Sequence, residues 1–227
     1  MDPPLVLDID GTLTRVDARR TPPAIDPRLF ELLWEWNAPV ILATGKSFPY
    51  PVALAQFLGR DLLAVAETGG IALADGDLRR FVEPGTIDAI KATLRDRGLF
   101  VTDGFDDINY WRETELALPR TLPKDELEGI ATTHGMSVLD SGYAYHVKHP
   151  DVSKGAAVAW IADRLELGLD AMVAIGDSRN DVTTFERVGH SYALANADAD
   201  ARAAADVTVE TGHADGAVDV LRRLREQ

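Results

Sequence analysis

The chain of 227 residues is 46% hydrophobic, enough for one sizeable core or for a core with a smaller insert, and this excludes a fully disordered chain. It holds no cysteine, so disulfides, thiolate metal sites and cysteine nucleophiles are excluded. The formal net charge of −14, from 37 acidic against 23 basic residues, argues against nucleic acid as a partner.

Leu5-Val6-Leu7 predicts a buried strand, and it runs straight into Asp8-Ile9-Asp10-Gly11-Thr12. In extended backbone the side chains at i and i+2 point the same way, so Asp8 and Asp10 face one pocket at a strand end. Two anions this close need a cation between them, and a hard divalent ion such as Mg²⁺ takes oxygen ligands while keeping positions open for a phosphate. Gly11 lets the chain turn sharply there. Pro39 to Ala43 predicts a second strand, ending in Thr44-Gly45-Lys46, a hydroxyl and a small backbone position suited to holding a phosphate oxygen.

A helix around Pro51 to Leu58, a strand over Leu62 to Ala66 and a turn at Glu67-Thr68-Gly69-Gly70 follow. Ile71 to Ala74, Asp75-Gly76 and Leu78 to Val82 then read as a β-hairpin. From Pro84-Gly85 the pattern changes to a helix through Ile87, Ile90 and Leu94, a strand-like Ile108 to Leu118, a helix over Lys124 to Thr133, and strands over Met136 to Leu139 and Tyr143 to Val147. Val152-Ser153-Lys154-Gly155 opens another helix, which puts the Lys154 ammonium at a helix N-terminus, where anions are favoured. Ala171 to Ile175 predicts a strand followed by Gly176-Asp177-Ser178-Arg179-Asn180-Asp181. Strands near Tyr192 and Val207, alternating with helices near Val182, Ala201 and Val218, complete a doubly wound α/β core.

Taken in order, Asp8-x-Asp10-Gly11-Thr12, Thr44-Gly45, Lys154 and Gly176-Asp177-x-x-Asn180-Asp181 resemble the four-motif signature of the haloacid dehalogenase superfamily, mostly Mg²⁺-dependent phosphatases. The resemblance spans nearly the whole chain and implies a Rossmann-like core over 1–83 and 152–227 with an α+β cap over 84–151, similar to the Cof-like and archaeal phosphoglycolate phosphatase branches. It further implies that Asp8 attacks phosphorus and that Asp10 protonates the leaving alkoxide, then activates water. Mg²⁺ would sit on Asp8, the Asp10 main-chain carbonyl and Asp177, with Asp181 as ligand or anchor. Thr44, Gly45 and Lys154 would hold the phosphoryl oxygens, and Asn180 would orient its loop. Two positions depart from the usual pattern: Lys46 stands where relatives often carry Arg or Asn, and Thr68 stands in a Glu-Asn-Gly position.

A small cap favours a short anionic ester such as 2-phosphoglycolate, whose carboxylate wants a basic partner; Arg112, Lys148 and His146 are the candidates. Sugar-phosphate hydrolysis and phosphoryl transfer between sugar hydroxyls, as in phosphomutases, are the alternatives within the superfamily. A regulatory phosphoacceptor module is the alternative outside enzymes. No apolar stretch approaches the roughly 20 residues that span a bilayer, and Met1-Asp2-Pro3-Pro4 has no secretory pattern. A cytoplasmic monomer or homodimer acting on a small phosphorylated metabolite, without nucleic acid or membrane, is expected. Five lysines in an acid-rich chain look like the surface of proteins from salt-loving organisms, where dense salt screens self-repulsion.

Overall fold

Four short apolar runs dictate the centre of the molecule: Leu5–Asp8 (β1), Val40–Ala43 (β4), Ala64–Ala66 (β5) and Val173–Gly176 (β11) are buried along their whole length. Strands buried on both faces belong in a parallel sheet covered by helices on each side. The computed structural model, which describes residues 2–16, 24–99, 109–142 and 144–226, has that arrangement. An eight-stranded sheet runs β13-β12-β11-β1-β4-β5-β6-β7, where β6 is Ile71–Ala74, β7 Asp77–Arg80, β12 His190–Ala193 and β13 Val207–Thr208. The strands from β13 to β5 pair in parallel, and the β6–β7 hairpin closes one edge antiparallel.

Side-chain alternation divides β1 between two cores. Leu5 and Leu7 pack with Leu29 and Leu33 of α1 (Arg28–Trp34), Ala55 of α2 (Pro49–Phe57) and Val218 and Leu221 of the C-terminal helix. Val6 packs on the other face with Val158 and Ile161 of the helix that begins at Lys154, and with Phe185. The chain lays β4 on one side of β1 and later β11 on the other, so the strand order reverses at β1. In open α/β sheets ligands bind outside the carboxyl ends of the strands at such a switch point. Asp8 ends β1 there, and Thr44 and Asp177 directly follow β4 and β11.

A second sheet, antiparallel in the order β8-β10-β9, is built from Glu115–Leu118 (β8), Ser137–Asp140 (β9) and Tyr145–Lys148 (β10). Leu116, Leu118, Tyr145 and Val147 form its own core with Ile87, Ile90 and Leu94 of α3 (Thr86–Asp96) and with Leu127 and Ile130 of α4 (Lys124–Thr133). Glu115 and His146, one position out of phase, stand on the opposite face. The small strands β2 (Thr14–Arg15) and β3 (Ala24–Ile25) pair beside the main sheet.

One expected element is shorter. Of the strand-like Ile108 to Leu118, Asn109 and Tyr110 are helical and only Glu115 to Leu118 is strand, while Ile108 lies outside the described residues, as does Tyr143. The backbone amides of Glu113 and Thr114 are taken by the Glu67 carboxylate at 3.1 and 2.7 Å, and the Asn109 side chain pairs with both backbone groups of Ala117. Residues whose amides answer side chains cannot extend a ladder.

Candidate active site

Helix α5 (Lys154–Arg164) begins where the Ser153 hydroxyl accepts a hydrogen bond from the Ala156 amide, a cap that fixes Lys154 as the first helical residue. From there the Lys154 side chain, wholly buried, donates to Asp8 Oδ1 at 2.6 Å and to Asp181 Oδ1 at 2.8 Å. The other oxygen of Asp181 accepts from the amides of Asp177 and Ser178 at 3.1 and 3.0 Å. Asp181 therefore spends both oxygens on anchoring Lys154 and the 177–178 turn. Asp177 Oδ2 is held by Asn196 Nδ2 at 2.8 Å, and that same amide donates to the Gly11 carbonyl at 3.1 Å. Gly11 has φ +84, and a Cβ on it would lie 2.0 Å from Asp177 Oδ2, so glycine is the residue that fits.

Oxygens of Asp8, Asp177 and Asp181 lie within 4.8 Å of one another. Three carboxylates share one ammonium, which leaves two negative charges uncompensated. Burial, together with the neighbouring Asp181 and Asp177 charges, pushes the Asp8 carboxyl well up against the opposing pull of Lys154. Burial and the Asp181 charge push Asp177 up to about 7. Asp8 Oδ2 and Asp177 Oδ1 are buried and have no hydrogen-bond partner. An unpaired buried carboxylate oxygen is costly unless a cation takes it, and a hard divalent cation matches both the oxygen donors and the missing charge.

Asp10 faces the same crevice from the next turn. Its Oδ1 lies 2.9 Å from Lys46 Nζ, and the Thr44 hydroxyl lies 3.4 Å from its Oδ2 while accepting from the Lys46 amide at 3.0 Å. Lys46, one of the two departures from the usual pattern, is an ion-pair partner of Asp10. A Cβ at Gly45 would lie 3.4 Å from Thr68 Oγ1 and 3.7 Å from Asn180 Nδ2, which places the Thr44-Gly45 loop against the fourth motif. Asn180 Oδ1 accepts from the Ser178 hydroxyl at 3.0 Å. Thr12 is fully buried. The structure thus gathers Asp8, Asp10, Thr44, Gly45, Lys154, Asp177, Asn180 and Asp181 at one crevice.

The family of the chain follows from its residues 100–221, which match the haloacid dehalogenase-like hydrolase model. The chain belongs to that family. A phosphoglycolate phosphatase of Halorubrum lacusprofundi is 49% identical across 99% of this chain and 98% of its own. Another of Halobacterium salinarum is 44% identical, with 99% and 98% covered. The fold matches a crystal structure from Thermoplasma acidophilum at TM-score 0.81, with 24% identity and 100% of each chain covered. It also matches a haloacid dehalogenase-like hydrolase of Bacteroides thetaiotaomicron at TM-score 0.76, with 17% identity and 99% and 100% covered. Halorubrum and Halobacterium are salt-loving, which agrees with the acidic, lysine-poor composition.

Sequence reasoning missed two polar residues at this crevice, Asn196 and Glu115. Asn196 follows the carboxyl end of β12, one strand beyond Asp177, and that position was the available signal. Glu115 joins Arg112 and His146, both singled out in the sequence, in a polar cluster on the small sheet. Arg112, nearly buried, donates to Glu115 Oε1 at 2.8 Å and to the Gly45 carbonyl at 2.9 Å, and His146 Nδ1 lies 2.6 Å from the same Glu115 oxygen. Burial would raise the Glu115 carboxyl, but the Arg112 charge and the His146 contact hold it below the ordinary glutamate value. Of the three basic residues expected to meet a substrate carboxylate, Arg112 is committed to Glu115 and the Gly45 loop. Lys148 is buried on the carbonyls of Val152 and His149. His146 alone among the three lines a cavity, one that Thr68, Ser178 and Asn180 also line. Among the described residues no helix is long and apolar enough to cross a membrane.

Proposed function

We propose that this chain is a Mg²⁺-dependent 2-phosphoglycolate phosphatase that works through a phosphoryl group carried on Asp8, as a cytoplasmic monomer or homodimer. The observation that carries the chemistry is the Asp8–Lys154–Asp181–Asp177 cluster, two charges short and with two unpaired oxygens. The substrate reading is supported by full-length relatives that bear that name. We take 84–151 as a cap over a core of 1–83 and 152–227, which the separate sheet and separate apolar core of that segment support.

Lys154 fixes one Asp8 oxygen and leaves the carboxylate aimed by a single contact, so Asp8 is a pre-oriented nucleophile that needs no base. Its attack forms an Asp8 O–P bond and breaks the ester P–O bond. Asp10, partly exposed and steered by Lys46 and Thr44, gives its proton to the leaving glycolate oxygen. The same carboxylate then takes a proton from water, whose oxygen attacks phosphorus and breaks the Asp8 O–P bond. Mg²⁺ fits Asp8, Asp177 and the Asp10 main-chain carbonyl, and when bound it supplies charge compensation for the phosphoryl group. Thr44, Gly45 and Lys154 position the phosphoryl oxygens.

The test is phosphate release from 2-phosphoglycolate, sugar phosphates and phosphoserine, in molar KCl with Mg²⁺, by wild type and Asp8→Asn. Turnover that favours 2-phosphoglycolate and is lost in Asp8→Asn is expected. A preference for a sugar phosphate would move the assignment to the sugar-phosphate branch, and turnover surviving in Asp8→Asn would sink the covalent route.

A further inference from the structure

We propose that Arg112 is a positioning residue for the acid Asp10: through the Gly45 carbonyl it sets the peptide unit from which the Asp10 carboxyl is steered. This rests on the phosphatase reading above, in which Asp10 protonates the leaving alkoxide, and it adds a residue from outside the four motifs.

Arg112 enters from the small-sheet side of the molecule. There the Glu67 carboxylate takes the amides of Glu113 and Thr114 at 3.1 and 2.7 Å and the Thr114 hydroxyl at 2.7 Å. A Cβ on Gly70 would lie 1.9 Å from Thr114 Oγ1, so the backbones approach closely at this segment. The Arg112 side chain is 4% exposed and its fork is divided. One nitrogen donates to Glu115 Oε1 at 2.8 Å and the other to the Gly45 carbonyl at 2.9 Å. Glu115 is itself wholly buried, which gives the guanidinium a fixed anchor.

The Gly45 carbonyl and the Lys46 amide belong to one planar peptide unit. Arg112 holds its oxygen, and its N–H goes to Thr44 Oγ1 at 3.0 Å. A rigid plane held at both ends keeps one orientation. Having accepted there, the Thr44 hydroxyl is left to donate towards Asp10 Oδ2 at 3.4 Å, while Lys46 reaches Asp10 Oδ1 at 2.9 Å. Both Asp10 oxygens are thus steered by residues that flank the peptide held by Arg112. The Asp10 and Lys46 side chains are 38% and 43% exposed, so packing alone does not fix them. The Gly45 amide and Lys154, which position phosphoryl oxygens, lie outside that unit, so its loss strikes the acid before it strikes phosphate binding.

An alkoxide leaves with a proton from the acid, whereas 4-nitrophenolate leaves without one. The contrast between such esters therefore isolates the acid, and kcat/KM reads the steps up to cleavage of the ester bond, ahead of hydrolysis of the Asp8 O–P bond. The experiment measures kcat/KM on 2-phosphoglycolate, 2-hydroxyethyl phosphate and 4-nitrophenyl phosphate for wild type, Arg112→Gln, Arg112→Lys and Asp10→Asn. Lysine keeps a charge on Glu115 but lacks the fork that reaches Gly45 at the same time. Both Arg112 variants should lose about 10- to 100-fold on each alkyl ester and less than about threefold on the nitrophenyl ester, which on the same samples reports the folded fraction. A loss of one size on all three esters in both variants, or no loss on the alkyl esters, overturns the inference. A loss confined to 2-phosphoglycolate overturns it too, because Arg112 would then be meeting the substrate carboxylate. Asp10→Asn should show the same alkyl-selective loss at about 100-fold or more. An equal loss on alkyl and nitrophenyl esters in that variant would remove the acid role of Asp10, and this inference with it.

Discussion

The two buried polar clusters at the crevice differ in how their charges close. The main-sheet cluster holds Asp8, Asp177 and Asp181 around Lys154 and leaves two carboxylate oxygens unpaired. The small-sheet cluster sets Glu115 against the Arg112 guanidinium, with His146 on the same carboxylate oxygen, so one carboxylate meets one permanent cation. The first therefore calls for a further cation, as a bound divalent metal would supply, while the second closes its charge within itself. Removing a cation from either cluster should thus have different consequences.

The largest expected effect is from Lys154→Met, which strands two buried carboxylates. It should lower phosphate release by about a thousandfold or more and destabilise the metal-free fold by about 3–5 kcal/mol in denaturant unfolding. Mg²⁺ should restore part of that stability, because it supplies charge to the same carboxylates. Arg112→Met should cost about 2–4 kcal/mol by leaving Glu115 with His146 and freeing the Gly45 carbonyl. Mg²⁺ should recover none of it. Equal rescue of the two variants would erase the distinction between the clusters.

Acidity sharpens the same contrast. Asp177 is pushed up to about 7 from an ordinary 3.8, so between those values the folded protein keeps a proton that the unfolded chain releases. Stability of the metal-free protein from this group falls as pH rises through that window and is level above it. Mg²⁺ displaces the proton, so the melting temperature gained on adding Mg²⁺ should be larger near pH 8 than near pH 5. A gain independent of pH would place the metal elsewhere.

What the sequence made legible was local. A strand ending in Asp8-x-Asp10 needs only period-two alternation to be read, and Lys154 needs only a helix start. The Lys154–Asp8 contact joins residues 146 apart, yet each end was marked by its own strand end or cap. Arg112 and His146 stood out only as basic residues on the insert, and Glu115 carries no mark at all. Their meeting depends on a strand register, His146 opposite Ala117, and on Glu67 reaching across to cut β8 short. The hairpin, the helices around Ile90 and Leu127 and the doubly wound core were read from periodicity, because burial imposes it. The polar face of a three-stranded sheet obeys no period that distinguishes a buried polar residue from a solvated one.

The smallest effect concerns Thr68, on the boundary of both clusters. It is buried at φ 55, a left-handed backbone that a β-branched residue adopts at a cost. Thr68→Asn should raise stability by about 0.5–1 kcal/mol while changing the cavity wall, and a loss of stability would mean that the hydroxyl contributes more than the backbone strain removes.

The most direct test of the whole account is a Mg²⁺ titration followed by calorimetry and by phosphate release from 2-phosphoglycolate, for wild type and Asp177→Asn. One Mg²⁺ per chain, with turnover rising in step with occupancy and both lost in Asp177→Asn, is the predicted result. Turnover that persists in EDTA, or Mg²⁺ binding untouched in Asp177→Asn, would contradict it.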